Sequence, residues 1–159
     1  MSAVEASGID SVLIALDGEG GRLLLPKLAV PEVLGLEALS FQANGPVWLL
    51  GMAQWREREI PAISFEAMCG QAMPVRSRRS RLVVINSLGV HLETGWFALL
   101  SQGHPHLATL SEHALQPEVG DHAPVELCRL RLGNTRAVIP DLETIELQRS
   151  DALQATAAS

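Results

Sequence analysis

Short apolar runs alternate with glycine, proline and charge along the whole chain. Val12-Leu-Ile-Ala-Leu16 is a run of strand length, and Arg22-Leu-Leu-Leu25 is a second. Between them Asp17-Gly-Glu-Gly-Gly21 offers several residues tolerant of positive φ, so the pair predicts a hairpin. Further on, Leu82-Val-Val-Ile85 and Trp96-Phe-Ala-Leu-Leu100 read as buried strands. From Val125 to Leu132 the apolar positions alternate, with one slip of phase between Leu127 and Cys128 that predicts a β-bulge. Gly133-Asn134 is a turn signal leading into Ala137-Val-Ile139. Helical spacing is confined to brief pieces. Lys27 to Leu36 suits a short turn of helix or a bent connection, Glu37 to Gly45 a connection, and Pro140 to Ile145 a short amphipathic turn. Short strands with Gly and Pro punctuation predict an all-β barrel architecture with short helices.

The most informative stretch runs from Pro46 to Gly70. An apolar run, Val47-Trp48-Leu49-Leu50, reaches Gly51, and a second apolar alternation follows at Ile60, Ile63 and Phe65. Between them stand Trp55 and four consecutive charges, Arg56-Glu57-Arg58-Glu59. Burying such charges costs several kcal/mol each, so they form a turn or strand end open to water or a partner. Pro61 lacks a backbone donor and predicts that its strand is an edge strand or ends there. Phe65-Glu-Ala-Met then reads as a short helix stopped by Gly70. Glu59-Ile60-Pro61 with its following turn matches Val138-Ile139-Pro140 with its own, which points to one plan used twice.

Composition narrows the function more than the fold. The 159 residues suffice for one domain that buries roughly two-thirds of its unfolded surface. A net charge of -6 with 19% charged residues fits neither a disordered chain nor a basic nucleic-acid binder. The first residues carry neither a positive region nor an apolar core, and there is no run of eighteen apolar residues. No signal peptide or direct membrane insertion is therefore expected, and a cytoplasmic location is. Cys69 and Cys128 lie far apart in apolar surroundings and read as small buried residues.

The order "apolar pair, glycine, three residues, Trp55-Arg56, then a hydrophobic-Pro pair and a short helix" resembles the CheW-like coupling domains of bacterial chemosensory arrays. The version here, with Trp55-Arg56 and Ile63-Ser-Phe-Glu66, is most similar to the ChpC-like and PilI-like branch tied to type IV pili and twitching motility. The resemblance implies two SH3-like five-stranded β-barrels packed on each other. It implies a single domain over 10–149, with subdomains at roughly 10–70 and 82–149, a linker at 71–81, and flexible termini at 1–9 and 150–159. It also implies a noncatalytic scaffold without cofactors. The expected partners are the cytoplasmic tip of a chemoreceptor and the regulatory domain of a CheA-type histidine kinase, with recruitment to membrane-associated receptor arrays. Val30, Glu32, Gly51 and Arg56 fall on positions that the family uses at partner surfaces. Trp55 joins them because tryptophan and arginine are the residue types most enriched at interface hot spots. One departure stands out: the family places glycine after the arginine, and here Glu57 occupies that position in a turn that needs positive φ.

Competing chemistry is sparse. The glycines at 18–21 lack the G-x-x-x-x-G-K spacing of a phosphate loop, and two acidic residues there would repel phosphate. Glu57 and Glu59 share a strand face but alternate with arginines, as a surface charge ladder does. No serine sits in a nucleophile setting such as G-x-S-x-G. The alternative function is a small β-barrel protein, metal-binding or hydrolytic, that uses the histidine-rich segment 104–122. There His104, His106, His113 and His122 lie within twenty residues. Neither H-x-x-x-H nor C-x-x-C accompanies them, and His104-Pro105-His106 reads as a proline-containing connection. Arg76, Arg78, Arg79 and Arg81 form a basic cluster that could meet an acidic partner or membrane surface; a solvated loop is the simpler reading.

Overall fold

A computed structural model describes residues 8–16, 21–42, 45–86, 95–111, 115–118, 120 and 123–149. The strands are β1 (Ile9–Ala15), β2 (Arg22–Pro26), β3 (Glu32–Gly35), β4 (Leu39–Phe41), β5 (Leu49–Trp55) and β6 (Arg58–Ile63), followed by β7 (Arg81–Asn86), β8 (Trp96–Ser101), β9 (His106–Leu110), β10 (Leu115–Pro117), β11 (Glu126–Leu132) and β12 (Thr135–Pro140). Helix α1 spans Phe65–Met68, and α2 covers 142–149. Ser64 caps α1, its hydroxyl accepting from the Ala67 N–H at 3.2 Å, and Asp141 caps α2 through the Thr144 N–H at 3.2 Å.

The strands form two six-stranded sheets, one ordered β10-β11-β12-β2-β1-β9 and the other β3-β7-β8-β6-β5-β4. The two orders are the same plan. In each, an edge strand pairs with an antiparallel hairpin (β1–β2, β7–β8). That hairpin meets a second one (β11–β12, β5–β6) through a short parallel ladder, and a three-residue edge strand closes the sheet. Both second hairpins carry a register shift near their start, at Leu49/Gly51 and at Glu126/Cys128, and both lead into a helix. The register shifts thus mark equivalent positions in two similar curled sheets, but the Ile-Pro pairs do not: Pro140 ends β12 directly before the cap Asp141, and Ile63, two residues past Pro61, holds that place before the cap Ser64.

Alternation along each strand explains the continuous apolar runs. In β7, Leu82 and Val84 point into the core of their own sheet, while Val83 and Ile85 point into the core shared by both sheets. In β8, Ala98 and Leu100 divide from Phe97 and Leu99 in the same way. In the other sheet Leu24 lies inside, whereas Leu23 and Leu25 face the shared core. A strand buried on both faces has no polar alternation to show. The runs that read as simple buried strands are the walls between three cores.

The sheets do not follow the expected division of the chain at 71–81. The N-terminal hairpin β1–β2 joins β9 to β12, and segment 71–80 connects α1 to β7 within the other sheet. The chain crosses between sheets after β2 and again after β8. Strands β3 and β4 occupy stretches that read as a bent connection or a connection, β9 begins at the end of the His104-Pro105-His106 connection, and β10 lies where no strand is expected; all four are sheet edges. Pro61 is the reverse case: β6 is interior, paired with both β5 and β8. Its ladder with β8 begins only at Ala62, so no hydrogen bond to β8 is required of Pro61. The expected glycine turn over Asp17–Gly20, His113, His122 and the termini 1–7 and 150–159 lie outside the described residues.

Candidate functional site

The charged tip of the β5–β6 hairpin is the place where the candidate residues meet. β5 ends at Trp55, Arg56-Glu57 form the turn, and β6 begins at Arg58. Arg56 and Glu57 have φ of 48° and 63°, the left-handed pair demanded by a two-residue turn whose twist matches its strands. Glutamate is poorly suited to that backbone, since its Cβ crowds the carbonyl that follows. Glu57→Gly should therefore stabilise the protein by about 1 kcal/mol, raising the melting temperature by about 2–4 °C. An unchanged or lower melting temperature would show that the turn is not strained by its side chain.

Glu32 opens β3, 23 residues before Trp55, and the fold brings it against this turn. The Trp55 indole Nε1–H donates to Glu32 Oε1 at 3.0 Å, and Arg56 Nη2 lies 3.6 Å from the same oxygen. The Arg56 guanidinium also sits 4.7 Å from the centroid of the Trp55 ring, within cation–π range. The side chains of Arg56 and Glu32 are 64% and 43% exposed, so their ion pair adds little stability by itself. Its effect is orientation. One carboxylate oxygen fixes the indole below it and the guanidinium beside it, and both charges still face solvent.

Trp55 itself is buried at 3% exposure, inside the core of its own sheet, with its ring 4.8 Å from that of Trp96. It holds the charged pair from below and is not an exposed anchor. Gly51 is also buried, four residues back along β5, where β4 crosses closely. Val30 lies at the crossing from β2 to β3, half-buried against the shared core. The fold therefore gathers Glu32, Trp55 and Arg56 at one end of one sheet, while Gly51 and Val30 sit within the scaffold near it.

A second polar constellation escaped the sequence reading. A cavity of about 500 Å³ lies between α1 and the β11–β12 hairpin, bordered by Glu66, Cys69, Glu126 and Arg129. The bulge at Leu127 makes this cluster possible. Glu126 pairs with Pro140 and Arg129 with Val138, so residues three apart share a face that a regular strand would divide. Glu126 Oε1 accepts from Arg129 Nη2 at 3.0 Å, Arg129 Nε at 3.2 Å and the Ala123 N–H at 2.6 Å. Arg131 and Arg136, at 3.8 and 3.3 Å, both pair with Glu118. Burial, reinforced by Glu126 and Glu66, pushes the Cys69 thiol up to about 12, which keeps it protonated and unreactive. The only advance signal was the Glu-x-x-Arg spacing across the predicted slip.

His106 begins β9 and is exposed, and His104 Nδ1 lies 3.1 Å from the Pro105 carbonyl oxygen in the second crossing between sheets. Among the described residues no group of three or more His, Cys, Asp and Glu side chains is placed to hold a metal ion. No helix among them is long and apolar enough to cross a membrane.

Comparison with known proteins gives this geometry a context. The solved structure of the scaffolding protein TtCheW from Thermoanaerobacter tengcongensis superposes with a TM-score of 0.66 at 18% sequence identity, over 84% of this chain and 88% of that one. At that identity the likeness establishes the fold: two SH3-like subdomains with few short helices. No curated protein sequence matches the chain. The model of the CheW-like domain matches residues 10–148, nearly all of the described structure, and the chain therefore belongs to the CheW-like domain family.

Proposed function

We propose that the protein is a noncatalytic adaptor that couples the cytoplasmic tip of a chemoreceptor to the regulatory domain of a CheA-type histidine kinase. One observation carries this reading: Glu32, remote in sequence from Trp55 and Arg56, meets them in a solvent-facing pair of opposite charges built on a two-residue turn. Preorganised charges set orientation and partner choice, and they lose little entropy on binding. Val30 and Gly51 support the same surface from behind, Val30 at the base of β3 and Gly51 by keeping β4 tight on β5. The Trp55-Arg56 and Ile63-Ser-Phe-Glu66 sequences favour a place in a chemosensory system of the ChpC or PilI type, acting on type IV pili and twitching. The adaptor would work in the cytoplasm, recruited to receptor arrays.

The test is a pull-down of wild type and Arg56→Glu with the kinase regulatory domain and a receptor cytoplasmic fragment at physiological salt. Wild type should retain both. The charge reversal sets two carboxylates against each other at the tip, and capture of the receptor should fall at least about tenfold while circular dichroism stays unchanged. If wild type retains neither partner, or if Arg56→Glu binds the receptor as well as wild type does, the reading fails.

A further inference from the structure

A different surface runs along β4. Among the described residues no strand pairs with its outer side. The Gln42 N–H donates inward to the Leu50 carbonyl at 2.9 Å. Because ladder groups alternate, Phe41 then turns its own N–H and C=O outward. The Leu39 N–H is used by the Leu36 carbonyl, which leaves the Leu39 carbonyl as the next outward acceptor. The side chains beside this edge are unusual for one that must stay unpaired. Phe41 is 59% exposed with the Arg76 guanidinium 4.5 Å from its ring centroid, and Val75 is 87% exposed.

Arg76, Arg78 and Arg81 outnumber the single carboxylate, Glu37, in the lining of a cleft beside the turn Leu36–Ala38 that leads into β4. Four of the chain's 12 basic residues lie in positions 76–81, and the remaining 8 stand against 18 acidic ones, so the basic cluster contrasts with the rest of the molecule. The loop is ordered by its own hydrogen bonds. The Ser77 N–H donates to Ser80 Oγ at 2.9 Å, the Arg79 N–H to Ser77 Oγ at 3.1 Å, and Arg81 Nη1 to the Arg78 and Ser80 carbonyls at 2.8 Å each. Arg81 thus braces the loop. Arg76, Arg78 and Arg79 are exposed and form no ion pair among the described residues.

The geometry points to an extended, acidic segment of a partner protein as the occupant of this edge, added as a further strand on β4. Its backbone would pair with Phe41 and Leu39, carboxylates at alternate positions would share the face of Phe41 and meet Arg76 and Arg78 there, and the side chains between them would turn to the opposite face. Charge complementarity selects the partner: the cluster repels basic segments, and its arginine–aromatic pair has the composition of an interface hot spot. This surface is distinct from the Glu32–Arg56 tip.

Fluorescence anisotropy of a short labelled peptide alternating Val and Glu, titrated with the full chain at about 0.15 M salt, provides the test. Saturable binding is expected. It should be lost with a Lys-for-Glu peptide and with a peptide N-methylated at alternate residues, and weakened at least about tenfold by R76E/R78E at unchanged melting temperature. Arg56→Glu should leave it unchanged. No binding by wild type, equal binding by R76E/R78E, or equal binding of the N-methylated peptide or of inorganic polyphosphate would overturn strand addition. Loss of binding in Arg56→Glu would place the peptide on the hairpin tip and overturn it equally.

Discussion

Gly51→Ala should cost about 3–5 kcal/mol of stability, one of the two largest single-site effects expected in this chain. Gly51 has φ of +151°, a conformation that L side chains rarely adopt. A Cβ at this position would overlap the Ser40 carbonyl oxygen and lie 2.9 Å from the Gln42 nitrogen and 3.0 Å from the Phe41 Cα. All three are backbone atoms of or beside β4, so no side-chain rotation can make room. Strand β4 must lift off β5. Gly70→Ala supplies the control: φ is +89° there, but no atom lies within 4 Å of the added carbon, so only the backbone term remains, at about 1–2 kcal/mol. Urea denaturation of both variants reads the difference. Equal destabilisation of the two would show that the approach of β4 imposes no steric limit. The same comparison bears on function, because a Gly51 variant that loses partner binding must be checked for loss of β4 before Gly51 is counted as a contact.

Trp55→Ala should be of similar size, about 3–5 kcal/mol, since it empties a large buried site packed against Trp96. The informative partner is Trp55→Phe. It keeps an aromatic ring but removes the N–H that donates to Glu32 at 3.0 Å. Its stability loss should be smaller, about 1–2 kcal/mol, whereas the orientation of Glu32 and hence of Arg56 loses its fixed point. Measured together, denaturation and receptor capture separate packing from positioning. If Trp55→Phe captures the receptor as wild type does, the indole N–H has no positioning role and Trp55 is simply core.

Much of the candidate site was legible because its parts are local. The burst Arg56-Glu57-Arg58-Glu59 between two apolar runs had to be a turn or a strand end, and Glu57 in a glycine's place marked a turn that needs positive φ, as its φ of 63° bears out. What the sequence did not supply is the meeting of that turn with Glu32, which depends on β3 lying near the end of β5. The direction of Trp55 was equally open. An aromatic residue at a strand end can point to solvent or to the core, and only the curl of the sheet places it inward, with the polar edge of its ring on a carboxylate.

The same physics divides the fold. Strands that are walls between two cores are apolar on both faces, and such runs as Leu23-Leu24-Leu25 and Leu82-Val-Val-Ile85 declare themselves without knowledge of any partner. The expected turn between β1 and β2 is declared by residues with special backbone freedom, and the bulge by a slip in alternation. The sheet edges β3, β4, β9 and β10 are short, carry mostly exposed or half-buried positions, and become strands only because a neighbour offers unpaired backbone groups. Their existence is a tertiary fact. So is the assignment of β1–β2 to a sheet whose other strands lie more than seventy residues away in the chain. Local chemistry, which each residue carries with it, was determined by the sequence alone. Pairing across long loops was decided by the packed structure, where the burial of three cores at once selects one arrangement among the many that local patterns permit.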